Sequence, residues 1–140
     1  MEDLKKRIRE SFRMEMIGAG LYRALATQYR NRPELKETFT EFAGQEEMHG
    51  RMFRELYRKN FGKRIGNGKF WMFTGRSAAY IMGPLPLEKK LKKLSSAESD
   101  AVKKIEETLA GECDTGLRKI IERILPDEIA HAALYGKIFS

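Results

Sequence analysis

Glu46-Glu47-Met48-His49 and Glu128-Ile129-Ala130-His131 are two copies of the motif Glu-x-x-His, and they contain the only two histidines of the chain. Three residues along a helix bring the glutamate and the histidine of each motif onto one face. A lone glutamate precedes each motif at nearly the same distance, 31 residues from Glu15 to Glu46 and 30 from Glu98 to Glu128. The sequence therefore predicts two copies of one helical hairpin.

Apolar residues recur every three or four positions along four segments, which predicts four helices. These helices are expected to span residues 2–30, 34–60, 87–110 and 114–138. Pro33 separates the first two helices, and Gly111 ends the third. Short turns make each hairpin antiparallel, while the long link 61–86 predicts a crossover between the hairpins. The expected fold is all-α, a four-helix bundle in a single domain over residues 1–140.

The crossover 61–86 is rich in aromatic residues, methionine and glycine. Its composition predicts a packed cover with a short helix around Ser77 to Met82. Such a segment is also expected to expose an apolar patch, and a patch of this kind favours a homodimer.

Six residues that can bind metal occupy positions where the helical spacing demands a core residue. They are Glu15, Glu46, His49, Glu98, Glu128 and His131. Buried carboxylates without partners cost several kcal/mol, so four of them need cations or shared protons. Two divalent metals would balance four carboxylates while both histidines stay neutral. The pattern predicts a two-metal centre.

Other interpretations of these residues are open. Each histidine alone could be an ordinary core histidine, and Glu106 and Glu107 lie on the same predicted helix as Glu98. Spacing favours Glu98, because it alone falls between Leu94 and Ala101 on the apolar face. Tyr22 and Tyr135 are interpreted as core aromatics, Cys113 as incidental and Asp114 as a helix cap. Pro126 is expected to kink the fourth helix just before Glu128.

The composition narrows the class of protein. The chain has 140 residues and a net charge of +7, which could attract nucleic acid or anionic lipid, but lysine-rich solvated helix faces explain it more simply. One cysteine fits a reducing compartment. Neither a secretion signal nor an apolar run long enough to span a bilayer is visible. A soluble cytoplasmic protein is expected.

With these residues in place, the chain resembles the ferritin-like superfamily, and within it the rubrerythrin-type di-iron proteins. Members carry one glutamate on each of the first and third helices and Glu-x-x-His on the second and fourth. The resemblance implies two iron ions, or manganese or a mixed pair, with Glu46 and Glu128 bridging and Glu15 and Glu98 terminal. Two features depart from peroxide-reducing members: Ala101 stands where an extra glutamate would lie, and no Cys-x-x-Cys rubredoxin site exists.

The resemblance implies reaction with O2 or H2O2, either as a ferroxidase or as an oxygen or peroxide scavenger fed by an unidentified electron donor. A looser resemblance to demethoxyubiquinone hydroxylases implies an alternative, hydroxylation of a quinone-like molecule at a membrane surface. A non-enzymatic metal-binding module is the third possibility. Whether the chain is an enzyme is open from the sequence.

Overall fold

Five helices account for most of the residues 2–140 that this computed structural model describes. They are α1 (Glu2–Gln28), α2 (Pro33–Phe61), α3 (Gly68–Ile81), α4 (Leu87–Ala110) and α5 (Thr115–Phe139). The all-α class is confirmed, since the described part of the chain contains no strand. The four predicted helices correspond to α1, α2, α4 and α5 with ends that differ by at most two residues. The chain divides into two units, Met1–Gly83 and Pro84–Ser140, and the single domain over 1–140 stays a prediction.

In the first unit, α1 and α2 run antiparallel. Pro33 begins α2, where its fixed φ suits the first helical turn, and Gly62 ends it in the left-handed conformation with φ 67°. Contacts between the helices pair the beginning of α1 with the end of α2, where Arg9 lies over Tyr57. They pair the end of α1 with the first half of α2, where Tyr22 packs edge-on against Phe42 with ring centroids 5.4 Å apart. The interface is aromatic and tightly filled.

The crossover contains a longer helix than expected. Instead of a short helix around residues 77–82, α3 covers Gly68–Ile81 and packs along α1 in the same direction. Two glycines explain the close approach: a Cβ on Gly20 would overlap the backbone carbonyl of Met72, and a Cβ on Gly75 would overlap that of Ile17. The predicted extent of this helix was wrong. Helices are predicted from the periodic spacing of apolar side chains, and glycines that pack on a neighbouring helix do not contribute to that spacing.

The second unit is the hairpin of α4 and α5. Asp114 caps α5, since its carboxylate accepts a hydrogen bond from the Leu117 N–H at 3.1 Å, which confirms the expected cap. The Arg118 guanidinium donates to the carbonyls of Leu109 and Gly111 and so holds the turn closed. The Ser95 hydroxyl joins the two helices by donating to the Ala132 carbonyl at 2.7 Å. The α5 helix continues through Pro126.

The outer face of α3 carries the apolar patch that the sequence predicts for the crossover. The side chains of Phe70, Phe73, Tyr80 and Ile81 are 57%, 60%, 65% and 81% exposed. None of the helices within residues 2–140 is both long enough and apolar enough to cross a membrane.

Candidate metal centre

The first unit brings together three of the six predicted ligands, Glu15 on α1 and Glu46 and His49 on α2, which we call the first half-site. The Nδ1 atom of His49 lies 3.2 Å from Oε2 of Glu15. Each of the three residues offers one ligand atom, and these atoms lie within 4.8 Å of one another. Glu46 is 3% exposed and His49 is fully buried. The Glu-x-x-His spacing thus places its two ligands on the face of α2 that meets α1, as predicted.

Gly18 is a residue of the first half-site that the sequence interpretation missed. A Cβ at this position would lie 2.6 Å from Oε2 of Glu46, so only glycine leaves room for that carboxylate in its present position. A signal for it exists in the sequence, because Gly18 and Gly20 interrupt an otherwise strong helix. Each glycine costs a helix about 1 kcal/mol relative to alanine, so a pair of them points to close packing.

The second unit repeats the arrangement with Glu98 on α4 and Glu128 and His131 on α5, the second half-site. The Nδ1 atom of His131 lies 3.6 Å from Oε2 of Glu98 and 4.0 Å from Oε2 of Glu128. Glu128 and His131 are buried, and the Glu98 side chain is 14% exposed. In both half-sites the same ring nitrogen therefore faces the carboxylate supplied by the preceding helix.

The structure separates the predicted ligands from their competitors. Glu106 and Glu107 are exposed on α4, whereas Glu98 faces His131, as the spacing indicated. Past Glu98, however, the predicted apolar face of α4 is only partly covered, since Ala101 is exposed among charged neighbours. Cys113 lies in the turn before α5 and belongs to neither cluster of metal-binding residues found within residues 2–140.

The two tyrosines differ in their surroundings. Tyr22 is 1% exposed and stacks on Phe39 with ring centroids 6.2 Å apart, which confirms the interpretation as a core aromatic. Tyr135 is only half-buried, and its hydroxyl donates to Oε1 of Glu88 at 3.4 Å. Its hydroxyl thus points to Glu88 at the surface of the second unit.

The surroundings of Glu98 favour a protonated carboxyl in the metal-free protein. The pKa of Glu98 is raised to about 7: burial is the largest cause, the nearby His131 ring lowers the pKa, and the Glu128 carboxyl raises it. Desolvation dominates because few water molecules reach the carboxyl to stabilise its charged form. A metal cation that binds the Glu98 carboxylate would displace this proton.

The stability of the metal-free protein is expected to fall as the pH rises from about 4.5 to 7. Between the unfolded pKa of 4.5 and the folded pKa of about 7, the folded state holds a proton on Glu98 that the unfolded chain has lost. Since one pKa unit corresponds to about 1.4 kcal/mol, the free energy of unfolding above pH 7 is lower by up to about 3 kcal/mol. Urea unfolding at a series of pH values measures it. Glu98→Gln cannot titrate and should flatten this part of the profile; an unchanged slope would contradict the assignment.

The donor set of each half-site fits a divalent first-row metal. Two carboxylates and one imidazole supply oxygen and nitrogen ligands of the kind that iron and manganese prefer, and the described clusters contain no thiolate. Four carboxylates over both half-sites carry four negative charges, which two divalent ions balance. The chemistry of these residues therefore agrees with the two iron ions predicted from the sequence.

Comparison with known proteins gives one finding for the whole chain. The family model described as Rubrerythrin matches residues 6–139. No curated protein and no solved structure matches the sequence. The matched range includes all six predicted ligands.

Proposed function

Because the chain belongs to the rubrerythrin family of the ferritin-like superfamily, whose members are di-iron carboxylate proteins, we propose that its six predicted ligands hold two iron ions that react with O2 or H2O2. The observation that carries this proposal is the repeated geometry, in which a buried histidine Nδ1 lies 3.2 or 3.6 Å from the glutamate of the preceding helix. When bound, a pair of Fe(II) ions supplies two electrons to the oxidant.

The protein residues have three tasks in this proposal. The carboxylates of Glu15, Glu46, Glu98 and Glu128 hold the ions by charge. His49 and His131 would supply one neutral imidazole each, with a ring nitrogen that carries no proton available to bind the metal. Burial of these side chains keeps bulk water from competing for the ligand atoms, and it raises the strength of each charge interaction.

Fe(II) is proposed as the substrate in a ferroxidase, or as a resident cofactor in an oxygen or peroxide scavenger. Ala101 on α4 stands where peroxide-reducing members carry an additional glutamate, and this difference favours the ferroxidase. We therefore place oxidation of Fe(II) by O2 first. A cytoplasmic location and a homodimer closed over the exposed face of α3 remain predictions, and sedimentation velocity of the full chain tests the second.

Anaerobic titration with Fe(II) is expected to give two irons bound per chain. Subsequent addition of O2 or H2O2 should oxidise this iron. The ferrozine assay measures the Fe(II) that remains, and an oxygen electrode measures the O2 that is consumed. If Fe(II) is the substrate, oxidation continues past two equivalents. If the protein is a scavenger, the oxidation stops at two equivalents and resumes only when a reductant is supplied.

A matched pair of variants controls this experiment. Glu128→Ala removes a buried carboxylate of the second half-site and should lower the bound iron below two per chain. Glu107→Ala removes an exposed carboxylate of α4 and should leave both the stoichiometry and the oxidation rate unchanged. Wild-type protein that fails to bind two irons would overturn the proposal, and a larger loss in Glu107→Ala would overturn the choice of ligands.

A further inference from the structure

The first unit contains a second site of a different kind, a cavity of about 510 Å³ that none of the metal-binding residues lines. Its walls come from the beginning of α1, the end of α2, the segment 64–67 and the start of α3. Pockets for small organic ligands typically have volumes of roughly 300–1,000 Å³. The cavity is therefore large enough for a metabolite, rather than only for an ion.

The cavity is strongly electropositive. Five basic side chains line it, together with the carboxylates of Glu2 and Glu10, which leaves a net charge of +3. The basic residues are Lys5, Lys6, Arg9, Arg13 and Arg64. Within residues 2–140, none of these five forms an ion pair. Cations that converge on one concave surface without neutralising partners raise the local potential and attract multiply charged anions.

Two of the guanidinium groups are held against aromatic rings. Arg9 lies over Tyr57, 5.9 Å from the ring centroid, and Arg13 lies over Trp71 at 5.2 Å. Both arginines remain exposed in these cation–π contacts, so their N–H groups are available as donors. A phosphoryl group accepts this paired donor geometry better than a single-point anion does. The paired donors thus favour an oxyanion over a halide, and the net charge of +3 favours a phosphoryl dianion over a singly charged carboxylate.

The N-terminus of α3 adds to the positive potential of the cavity. Asn67 lines the cavity at the N-terminus of this 14-residue helix and provides no side-chain cap. The first N–H groups of a helix lack helical partners, and the helix dipole places partial positive charge there. This contribution is small beside the five basic side chains, but it has the same sign.

We propose that this cavity binds a phosphorylated small molecule with an aromatic ring, of the mononucleotide class. The phosphoryl group would lie among Arg9, Arg13 and Arg64. The aromatic part would pack on Trp71, which is the partly exposed ring of the same cavity, since Tyr57 is only 3% exposed. The inference does not depend on the metal centre, since none of these residues belongs to either half-site.

The single tryptophan of the chain, Trp71, allows a direct test. Full-length protein is titrated with AMP, and separately with ribose 5-phosphate, which carries the same phosphoryl group without the aromatic base, while the Trp71 fluorescence is recorded at low ionic strength. Saturable changes are expected with both compounds, with tighter binding of AMP because only AMP uses the aromatic surface. Added salt should weaken both.

Two double variants of equal charge separate a built site from a general attraction. Arg9→Gln with Arg64→Gln should weaken AMP binding by at least about tenfold, because two charge-assisted hydrogen bonds are lost. Lys103→Gln with Lys104→Gln removes two exposed charges from α4 and should leave the affinity unchanged. Equal losses in both variants, or no saturable change in the wild type, would overturn the proposal. Equal affinity for AMP and ribose 5-phosphate would overturn its aromatic part.

Discussion

Glu46→Gln is expected to weaken iron binding by more than about 100-fold, because it removes a charged ligand from the first half-site. Changes in groups that only orient a metal ligand already cost roughly 10- to 100-fold in affinity, so loss of a ligand should exceed that range. The measurement is the iron content per chain after anaerobic loading and desalting, together with the rate of Fe(II) oxidation. Both quantities should fall together.

The neighbouring residue provides the control. Glu47→Gln makes the same chemical change one position along α2, but the Glu47 side chain is 28% exposed and pairs with Arg23 at 2.7 Å. Exposed ion pairs of this kind contribute about 0–1 kcal/mol, so this variant should bind iron normally and lose little stability. If Glu47→Gln and Glu46→Gln lose iron equally, the helical phase assigned to the motif is wrong.

Unfolding cannot explain the expected loss in Glu46→Gln. In the metal-free protein, Glu46 is a buried carboxylate that lies near Glu15 and His49. Glutamine has nearly the same shape and no charge, so burial costs less. We expect the melting temperature of metal-free Glu46→Gln to equal or exceed that of the metal-free wild type, while added Fe(II) stabilises only the wild type.

The contrast between Glu46 and Glu47 shows why the half-sites could be predicted from the sequence. Helical periodicity decides which of two adjacent glutamates faces inward, and the same rule selects Glu98 over Glu106 and Glu107. The helix ends could also be predicted, because proline, glycine and aspartate act on the backbone at their own positions, as Pro33, Gly111 and Asp114 do.

Features that depend on contacts between distant segments could not be predicted from the sequence. The packing of α3 on α1 depends on glycines that let two backbones approach, and glycine gives the same sequence signal in a turn as in such a contact. The role of Gly18 depends on a side chain 28 residues away. The basic cavity likewise gathers Arg9, Arg64 and Trp71 from three segments, whereas in the sequence they suggest only a solvated surface.

Gly75→Ala is expected to destabilise the protein by about 3 kcal/mol or more, a large effect for the addition of one methyl group. A Cβ at this position would overlap the backbone carbonyl of Ile17 and lie 2.8 Å from the backbone nitrogen of Leu21. Backbone atoms in the middle of α1 cannot move aside as the end of a flexible side chain can. The helix α3 must therefore shift away from α1, and its buried contacts with that helix are lost.

Gly44→Ala is the matched substitution in a helix where the added methyl group meets nothing within 4 Å. It should stabilise the protein by about 0.5–1 kcal/mol, since alanine lowers the conformational entropy of the unfolded chain and favours the helix. The melting temperature, measured by circular dichroism, should therefore fall in Gly75→Ala and rise in Gly44→Ala. Trp71 on α3 should report the shift of that helix by a change in fluorescence in Gly75→Ala alone. Similar stability of both variants would mean that α3 does not pack on α1 through this glycine.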